Sequence, residues 1–157
     1  MMQTLNIGQA EGTLTSRRPS DATILVLEDD ADVRELWLED LRAAGYTAVG
    51  VGYGTDALAL TAKIRPALVV SDVIMPGMDG FEFLLQLRRN PTFAPIPVLL
   101  VSSLAEGVTH TLLEEFPVRE RGITEILAKP VKEHVLIDRV RRLIGDRPEA
   151  CEVRDAG

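Results

Sequence analysis

Short apolar runs alternate with amphipathic stretches along most of the chain. Residues 24–27 form an apolar block bounded by polar positions, which is typical of a strand buried on both faces. From Ala31 to Ala44 the apolar residues recur with helical spacing, which predicts a helix. The same alternation continues, and it predicts strands at 24–27, 46–51, 67–72, 96–103 and 125–128, with helices at 31–44, 54–64, 81–89, 106–116 and 133–144.

Capping and turn residues support these bounds. Asp30 stands where an N-cap is expected, and Gly45 follows the first predicted helix, where glycine commonly ends a helix. Strands that alternate with helices predict βαβ units, right-handed crossovers and a parallel sheet covered by helices on both faces. We therefore expect one α/β domain at 23–145, between a flexible N-terminal tail at 1–22 and a C-terminal tail at 146–157.

Composition and charge limit the classes of function. The chain has 157 residues and a formal net charge of −7, without a long Lys/Arg block, so nucleic acid is not expected as a direct partner. No apolar run approaches the ~20 residues that span a bilayer, and the first residues lack the apolar core of a signal peptide, so no membrane association is expected. Cys151 is the one cysteine, which fits a reducing compartment. We expect a cytoplasmic protein.

Acidic residues follow two of the predicted strands. Glu28 and Asp29 come directly after the first strand, and Asp72 ends the third. Carboxylates brought together at the ends of parallel strands repel one another unless a cation holds them. Carboxylate oxygens are ligands that Mg²⁺ prefers, and Mg²⁺ often takes only a few ligands from protein. The pattern therefore predicts a shared magnesium site formed by both strands.

Hydroxyl groups and an amine end two further strands. Ser102 and Ser103 end the fourth, and Lys129 follows the fifth. In an open parallel sheet, ligands bind outside the carboxyl ends of the strands, near the topological switch point. Acids, hydroxyls and an amine at that edge fit phosphoryl transfer to a carboxylate, which depends mainly on positioning and charge stabilisation. No general base is needed, because a carboxylate has no proton to lose at neutral pH.

Four motifs carry a family resemblance. The segments ILVLEDDADVREL, LVVSDVIMPGMDGFEFL, IPVLLVSS and ILAKPV occur in this order on the predicted strands. Together they resemble the receiver domain of bacterial two-component response regulators, over roughly residues 23–144. The resemblance implies a flavodoxin-like, doubly wound fold. Its five-stranded parallel sheet has the order 2-1-3-4-5 and is wrapped by five helices in three layers.

The resemblance also implies roles for the acidic residues. Asp72 matches the phosphoacceptor, and Asp29 matches a direct Mg²⁺ ligand. Glu28 would act mostly through metal-bound water, and the backbone carbonyl of Ile74 would be a third protein ligand. The implied cofactor is therefore Mg²⁺, held by Glu28, Asp29, Asp72 and Ile74.

Three further positions match the family pattern. Ser102 matches the switch serine or threonine, and Lys129 matches the family's lysine. Pro130 matches a proline that follows this lysine in a cis peptide bond. Together with Asp72, Ser102 and Lys129 would form the phosphoryl-transfer set.

Some positions depart from the pattern. Ile126 stands where the family often has a Tyr or Phe whose rotamer follows phosphorylation, so the aromatic half of the usual switch is missing. The segment between residues 103 and 128 is also longer than usual. Ile74 and Leu104 match the two positions that tune the phosphoryl lifetime, and both are apolar, so we expect a long-lived phosphoryl group. Trp37, on the first predicted helix, is interpreted as a core anchor, with a partner-binding role as the second interpretation.

Three classes of function compete. The first is a single-domain response regulator that receives a phosphoryl group from a histidine kinase or phosphotransferase. It would signal to a downstream protein that the sequence does not identify, as a monomer or weak homodimer. The second is an interaction module that keeps the receiver fold without being phosphorylated. The third, an enzyme acting on an external substrate, is set aside. The acidic segment after the first strand would repel a flavin phosphate, and Ile74 replaces the second Asp that a haloacid-dehalogenase-type phosphatase needs.

Overall fold

Five parallel strands form a single sheet in the computed structural model, which describes residues 21–103, 114 and 124–145. The strands are β1 (Thr23–Leu27), β2 (Thr47–Val51), β3 (Leu68–Asp72), β4 (Val98–Ser102) and β5 (Thr124–Ala128). The described helices are α1 (Ala31–Ala43), α2 (Gly54–Ile64), α3 (Gly80–Arg89) and α4 (Glu133–Ile144). The predicted helix at 106–116, residues 1–20 and residues 146–157 lie outside the described residues, apart from residue 114.

The strand order is β2-β1-β3-β4-β5, which confirms the predicted flavodoxin-like, doubly wound sheet. β1 pairs in parallel with β2 on one side and with β3 on the other. After β2 the chain crosses back over β1 to form β3, so the winding direction reverses between β1 and β3. That reversal is the topological switch point, and a crevice for ligands is expected at the carboxyl ends of these two strands.

The central strands are apolar on both faces because helices cover both sides of the sheet. In β1, Ile24 and Val26 belong to a core cluster that includes residues of α1 and α4. Their neighbours Leu25 and Leu27 belong to a second cluster, which includes residues of α2 and α3. Successive side chains of a strand point to opposite faces, so each strand contributes to both clusters.

Two helices begin at aspartate caps that sit next to the crevice. The side chain of Asp30 accepts hydrogen bonds from the backbone N–H groups of Asp32 and Val33, at 2.9 and 3.1 Å, as the sequence predicts. Asp79 caps α3 in the same way, through the N–H of Glu82 at 2.8 Å. These bonds satisfy N–H groups that the first turn of a helix leaves without intrahelical partners. The caps therefore fix the first turns of α1 and α3, which follow the loops after β1 and β3.

Gly80 allows α3 to begin directly against the end of β3. Its N–H donates to the carbonyl oxygen of Val73 at 2.8 Å. A Cβ at position 80 would overlap the carbonyl oxygen of Asp72 and lie 2.9 Å from the Cα of Val73. Both are backbone atoms, so neither can move without shifting the loop that carries Asp72.

We expect Gly80→Ala to lower the free energy of unfolding by about 1–3 kcal/mol, the usual cost of forcing extra atoms into a packed region. This loss would occur although alanine favours helix over glycine by ~1 kcal/mol. Urea denaturation measures it. Gly54→Ala is the matched control, because Gly54 also begins a helix and its added Cβ would meet the side chain of Met78 instead of backbone. Equal stability of Gly80→Ala and the wild type would contradict the argument.

Candidate functional site

Among the residues that the structure describes, three carboxylates meet at the switch point. Glu28 and Asp29 directly follow β1, and Asp72 is the last residue of β3. Each offers a carboxylate oxygen, and these oxygens lie within 4.8 Å of one another. Glu28 and Asp72 are buried, with 1% and 5% of their surface exposed, whereas Asp29 is exposed. The predicted acidic cluster is therefore assembled, with one open side.

Lys129 links the two buried carboxylates. Its Nζ lies 3.0 Å from Oε2 of Glu28 and 3.3 Å from Oδ1 of Asp72. Lys129 directly follows β5, which is separated from β3 by β4. Its backbone N–H donates to the carbonyl oxygen of Ser102 at 2.9 Å, which ties it to the end of β4. The Lys129–Pro130 peptide bond is cis, as the family resemblance implies.

Burial and neighbouring charges shift the pKa values of Glu28 and Lys129. Burial raises the pKa of the Glu28 carboxyl, and the hydrogen bonds from Lys129 and from the N–H of Asp30 only partly oppose that rise. Burial alone would lower the pKa of Lys129, but the hydrogen bond to Glu28 and the charges of Asp72 and Glu28 outweigh it and raise that pKa. Lys129 is therefore an ammonium cation at neutral pH.

The two oxygens of the Asp72 carboxylate have different surroundings. Oδ1 accepts a hydrogen bond from the N–H of Val73 at 2.8 Å and is the oxygen near Lys129. Within the described residues, no such hydrogen bond or ion pair is formed by Oδ2. The Ser71 hydroxyl donates to the backbone carbonyl of Asp72 at 2.8 Å and so steadies the end of β3. The contacts therefore orient the carboxylate through Oδ1.

Sequence reasoning missed Arg34, which supports the acidic segment from α1. Its Nη1 donates to the backbone carbonyl of Glu28 at 2.7 Å. The side chain passes Gly50 and Gly52, where an added Cβ would lie 3.1–3.2 Å from Arg34 atoms. A glycine pair facing an arginine could have signalled this contact, but only once the β1–β2 pairing was known.

The remaining candidates occupy distinct places. Ser102 is buried at the end of β4, beside the strand that carries Asp72. The side chain of Ile74 is 54% exposed on the loop after β3. Ile126 packs against the second core cluster, whose strand residues include Leu25 and Leu27. Leu104 and most of the segment at 103–128 lie outside the described residues.

Trp37 is buried, with 3% of its surface exposed, and belongs to the core cluster that includes α1 and α4 residues. The second interpretation, a partner-binding tryptophan on the surface, is therefore wrong. The Nζ of Lys129 lies over the indole ring, 5.6 Å from its centroid. No pattern in the sequence signals this contact, because residues 37 and 129 meet only through the sheet order.

The donor set fits a divalent cation. Three carboxylates offer the hard oxygen ligands that Mg²⁺ prefers, and the exposed Asp29 leaves a side open to solvent. Among the described residues, Lys129 is the cation paired with these carboxylates, and its single positive charge leaves the group with a net negative charge. Glu28, Asp29 and Asp72 are the residues that could hold such an ion.

A family model and curated relatives both match the chain. The model of the response regulator receiver domain matches residues 24–141. The response regulator PleD of Caulobacter vibrioides is 38% identical over 125 residues, which cover 78% of this chain and 26% of PleD. The DNA-binding response regulator MtrA of Mycobacterium tuberculosis is 32% identical over 131 residues, which cover 83% of this chain and 54% of MtrA.

A solved structure shares the fold. The receiver domain of a signal transduction histidine kinase from Syntrophus aciditrophicus superposes with a TM-score of 0.69 at 30% identity, covering 80% of this chain and 91% of that one.

The chain spans about half of MtrA and about a quarter of PleD, so the single-domain organisation expected from the sequence stays a prediction. Among the described residues, no helix is long and apolar enough to cross a membrane.

We expect Mg²⁺ to stabilise the protein through this cluster. At 10 to 100 times its dissociation constant, a ligand bound only to the folded state adds about 1.4–2.7 kcal/mol to the free energy of unfolding. Thermal unfolding in EDTA and in Mg²⁺ measures the gain, which Asp29→Asn should largely abolish. Asp56→Asn, at an exposed acid in the first turn of α2, should keep it. An equal gain in Asp29→Asn would remove Asp29 from the site.

Proposed function

The chain belongs to the response regulator receiver domain family, and from this premise we propose that Asp72 is its phosphoacceptor. The phosphoryl group would come from a histidine kinase or phosphotransferase in a Mg²⁺-dependent reaction, and the phosphorylated domain would signal by contact with another protein. The observation that carries the proposal is the Lys129 ammonium group, which lies between the buried carboxylates of Glu28 and Asp72. An anionic phosphodonor is repelled by the Asp72 carboxylate, and a cation held beside that carboxylate offsets the repulsion.

The chemical step needs only groups at the site. Oδ2 of Asp72 attacks the phosphorus atom of a phosphohistidine, and a P–O bond forms as the P–N bond breaks. The electron pair of the P–N bond stays on the imidazole nitrogen, and the product is an acyl phosphate on Asp72. The nucleophile is a carboxylate oxygen, so the step uses no general base.

Charge stabilisation comes from fixed groups. Lys129 would donate hydrogen bonds to a phosphoryl oxygen while it remains paired with Glu28, and the Ser102 hydroxyl would donate another. Glu28, Asp29, Asp72 and the backbone carbonyl of Ile74 would hold Mg²⁺. When bound, that ion neutralises charge on the phosphoryl oxygens. The chain's own residues bind the phosphoryl group, orient it and neutralise its charge.

The alternative is a receiver fold that binds partners without being phosphorylated. Such a module has no need for buried carboxylates that a single lysine only partly neutralises, because a cluster of like charges lowers stability unless it binds a ligand. Ile126 is not aromatic and packs against the second core cluster, so the usual aromatic rotamer switch is not available at that position. Switching would then depend on Ser102 and on the backbone at the ends of β4 and β5.

Intact-mass spectrometry with Mg²⁺ and acetyl phosphate tests the proposal directly. We expect the wild type to gain one phosphoryl group, and we expect no gain in EDTA or in Asp72→Ala, which lacks the nucleophile. Asp56→Asn, an exposed acid outside the site, should be labelled like the wild type. Labelling of Asp72→Ala to the same extent would contradict the acceptor assignment. Failure with both acetyl phosphate and phosphohistidine donors would favour the interaction module.

The loss of the phosphoryl group should be slow. Ile74 is exposed beside Asp72, and its apolar side chain cannot hold a water molecule in line for hydrolysis of the acyl phosphate. We expect Ile74→Asn to shorten the lifetime several-fold, because an amide can hydrogen-bond that water, whereas Ile74→Leu should leave it unchanged. The decay of the labelled mass after donor removal measures both. A half-life of seconds in the wild type would contradict the argument.

A further inference from the structure

Within the described residues, the ammonium group of Lys129 has three defined neighbours. Two are the carboxylates of Glu28 and Asp72, at 3.0 and 3.3 Å. The third is the indole ring of Trp37, whose centroid lies 5.6 Å from Nζ. A cation within about 6 Å of a ring centroid is attracted by the negative face of the ring, and tryptophan is the strongest of the aromatic partners.

Trp37 is a rigid neighbour. It is 3% exposed and lies on α1, whose start is fixed by the Asp30 cap. The Lys129 side chain, in contrast, is 25% exposed and stands on a flexible four-carbon stem. A lysine loses much rotamer freedom when it is held in one place. A buried ring beneath the ammonium group limits the positions that Lys129 can take.

We infer that Trp37 is a positioning residue for Lys129. The indole holds the ammonium group next to Glu28 and Asp72 and reduces its access to water, so Lys129 is already placed when the phosphoryl group arrives. The importance of this placement for phosphorylation rests on the proposed function, whereas the placement itself does not. The core alone does not require an indole, because an aliphatic side chain could also fill a buried position of α1.

Two variants separate a positioning role from a packing role. Trp37→Phe and Trp37→Leu both replace the indole with a smaller apolar group and should lower the melting temperature by similar amounts. Only Trp37→Phe keeps an aromatic face toward Lys129. If the two variants differ in the Lys129 signal or in the phosphorylation rate, the difference therefore reports the loss of the aromatic ring and not the loss of side-chain volume.

The first readout is the NMR shift of the Lys129 ε-methylene protons, assigned with Lys129→Met. In the wild type we expect these protons to be shifted upfield by the indole ring current, relative to those of the exposed Lys63. The shift should be smaller in Trp37→Phe and absent in Trp37→Leu. If the ε-methylene protons of Lys129 in the wild type have the same chemical shift as those of Lys63, the inference is overturned.

The second readout is the initial rate of phosphorylation by acetyl phosphate with Mg²⁺. We expect Trp37→Leu to lose about threefold to tenfold in rate and Trp37→Phe to lose less, in keeping with the strength of a partly desolvated cation–π contact. Equal rates in the two variants would overturn the inference. If the wild type accepts no phosphoryl group, the proposed function fails, and the methylene shift alone then decides whether Trp37 positions Lys129.

Discussion

Repulsion among carboxylates is the constraint on which this structure depends. Glu28 and Asp72 are buried within a few ångströms of one another, and two like charges at such a distance in a partly dry site disfavour folding. Lys129 compensates only one charge, and burial raises the pKa of Glu28 in spite of that partner. The fold therefore keeps a site that is incompletely neutralised, which is a property expected of a place where a cation and an anionic group bind.

The sheet places the charges, and small features of the loops hold them. Parallel pairing of β1 with β3 brings the ends of both strands to one edge, and the position of β5 beyond β4 delivers Lys129 across that edge. Gly80 lets α3 start against the backbone of Asp72, and Arg34 fixes the carbonyl of Glu28. Each of these contacts involves backbone, so the carboxylates are positioned by the chain itself and not only by side-chain rotamers.

The sequence predicts much of the fold and the charged core of the site. Alternation of apolar blocks with helical periodicity places every described element within two residues of its observed bounds, because strands buried on both faces and amphipathic helices have distinct patterns. The acids and Lys129 follow strands, and parallel strands end at one edge, so their meeting is also predictable. The contacts that hold the surrounding backbone in place are not predictable from the sequence. Arg34 reaches Glu28, and Arg88, 4% exposed, donates to the carbonyls of Ala94 and Ile96, through geometry that exists only after the helices have packed.

The position of the aromatic residue bears on how the domain could transmit a signal. Where the family resemblance leads one to expect a Tyr or Phe, Ile126 packs against the second core cluster, while Trp37 lies in the first cluster beneath Lys129. A ring buried at 3% exposure cannot swing between an inward and an outward rotamer without opening the core. The aromatic contact of this site is therefore suited to holding the cation still. Movement on phosphorylation would fall instead to the backbone at the ends of β4 and β5, which are joined by the hydrogen bond from the N–H of Lys129 to the carbonyl oxygen of Ser102.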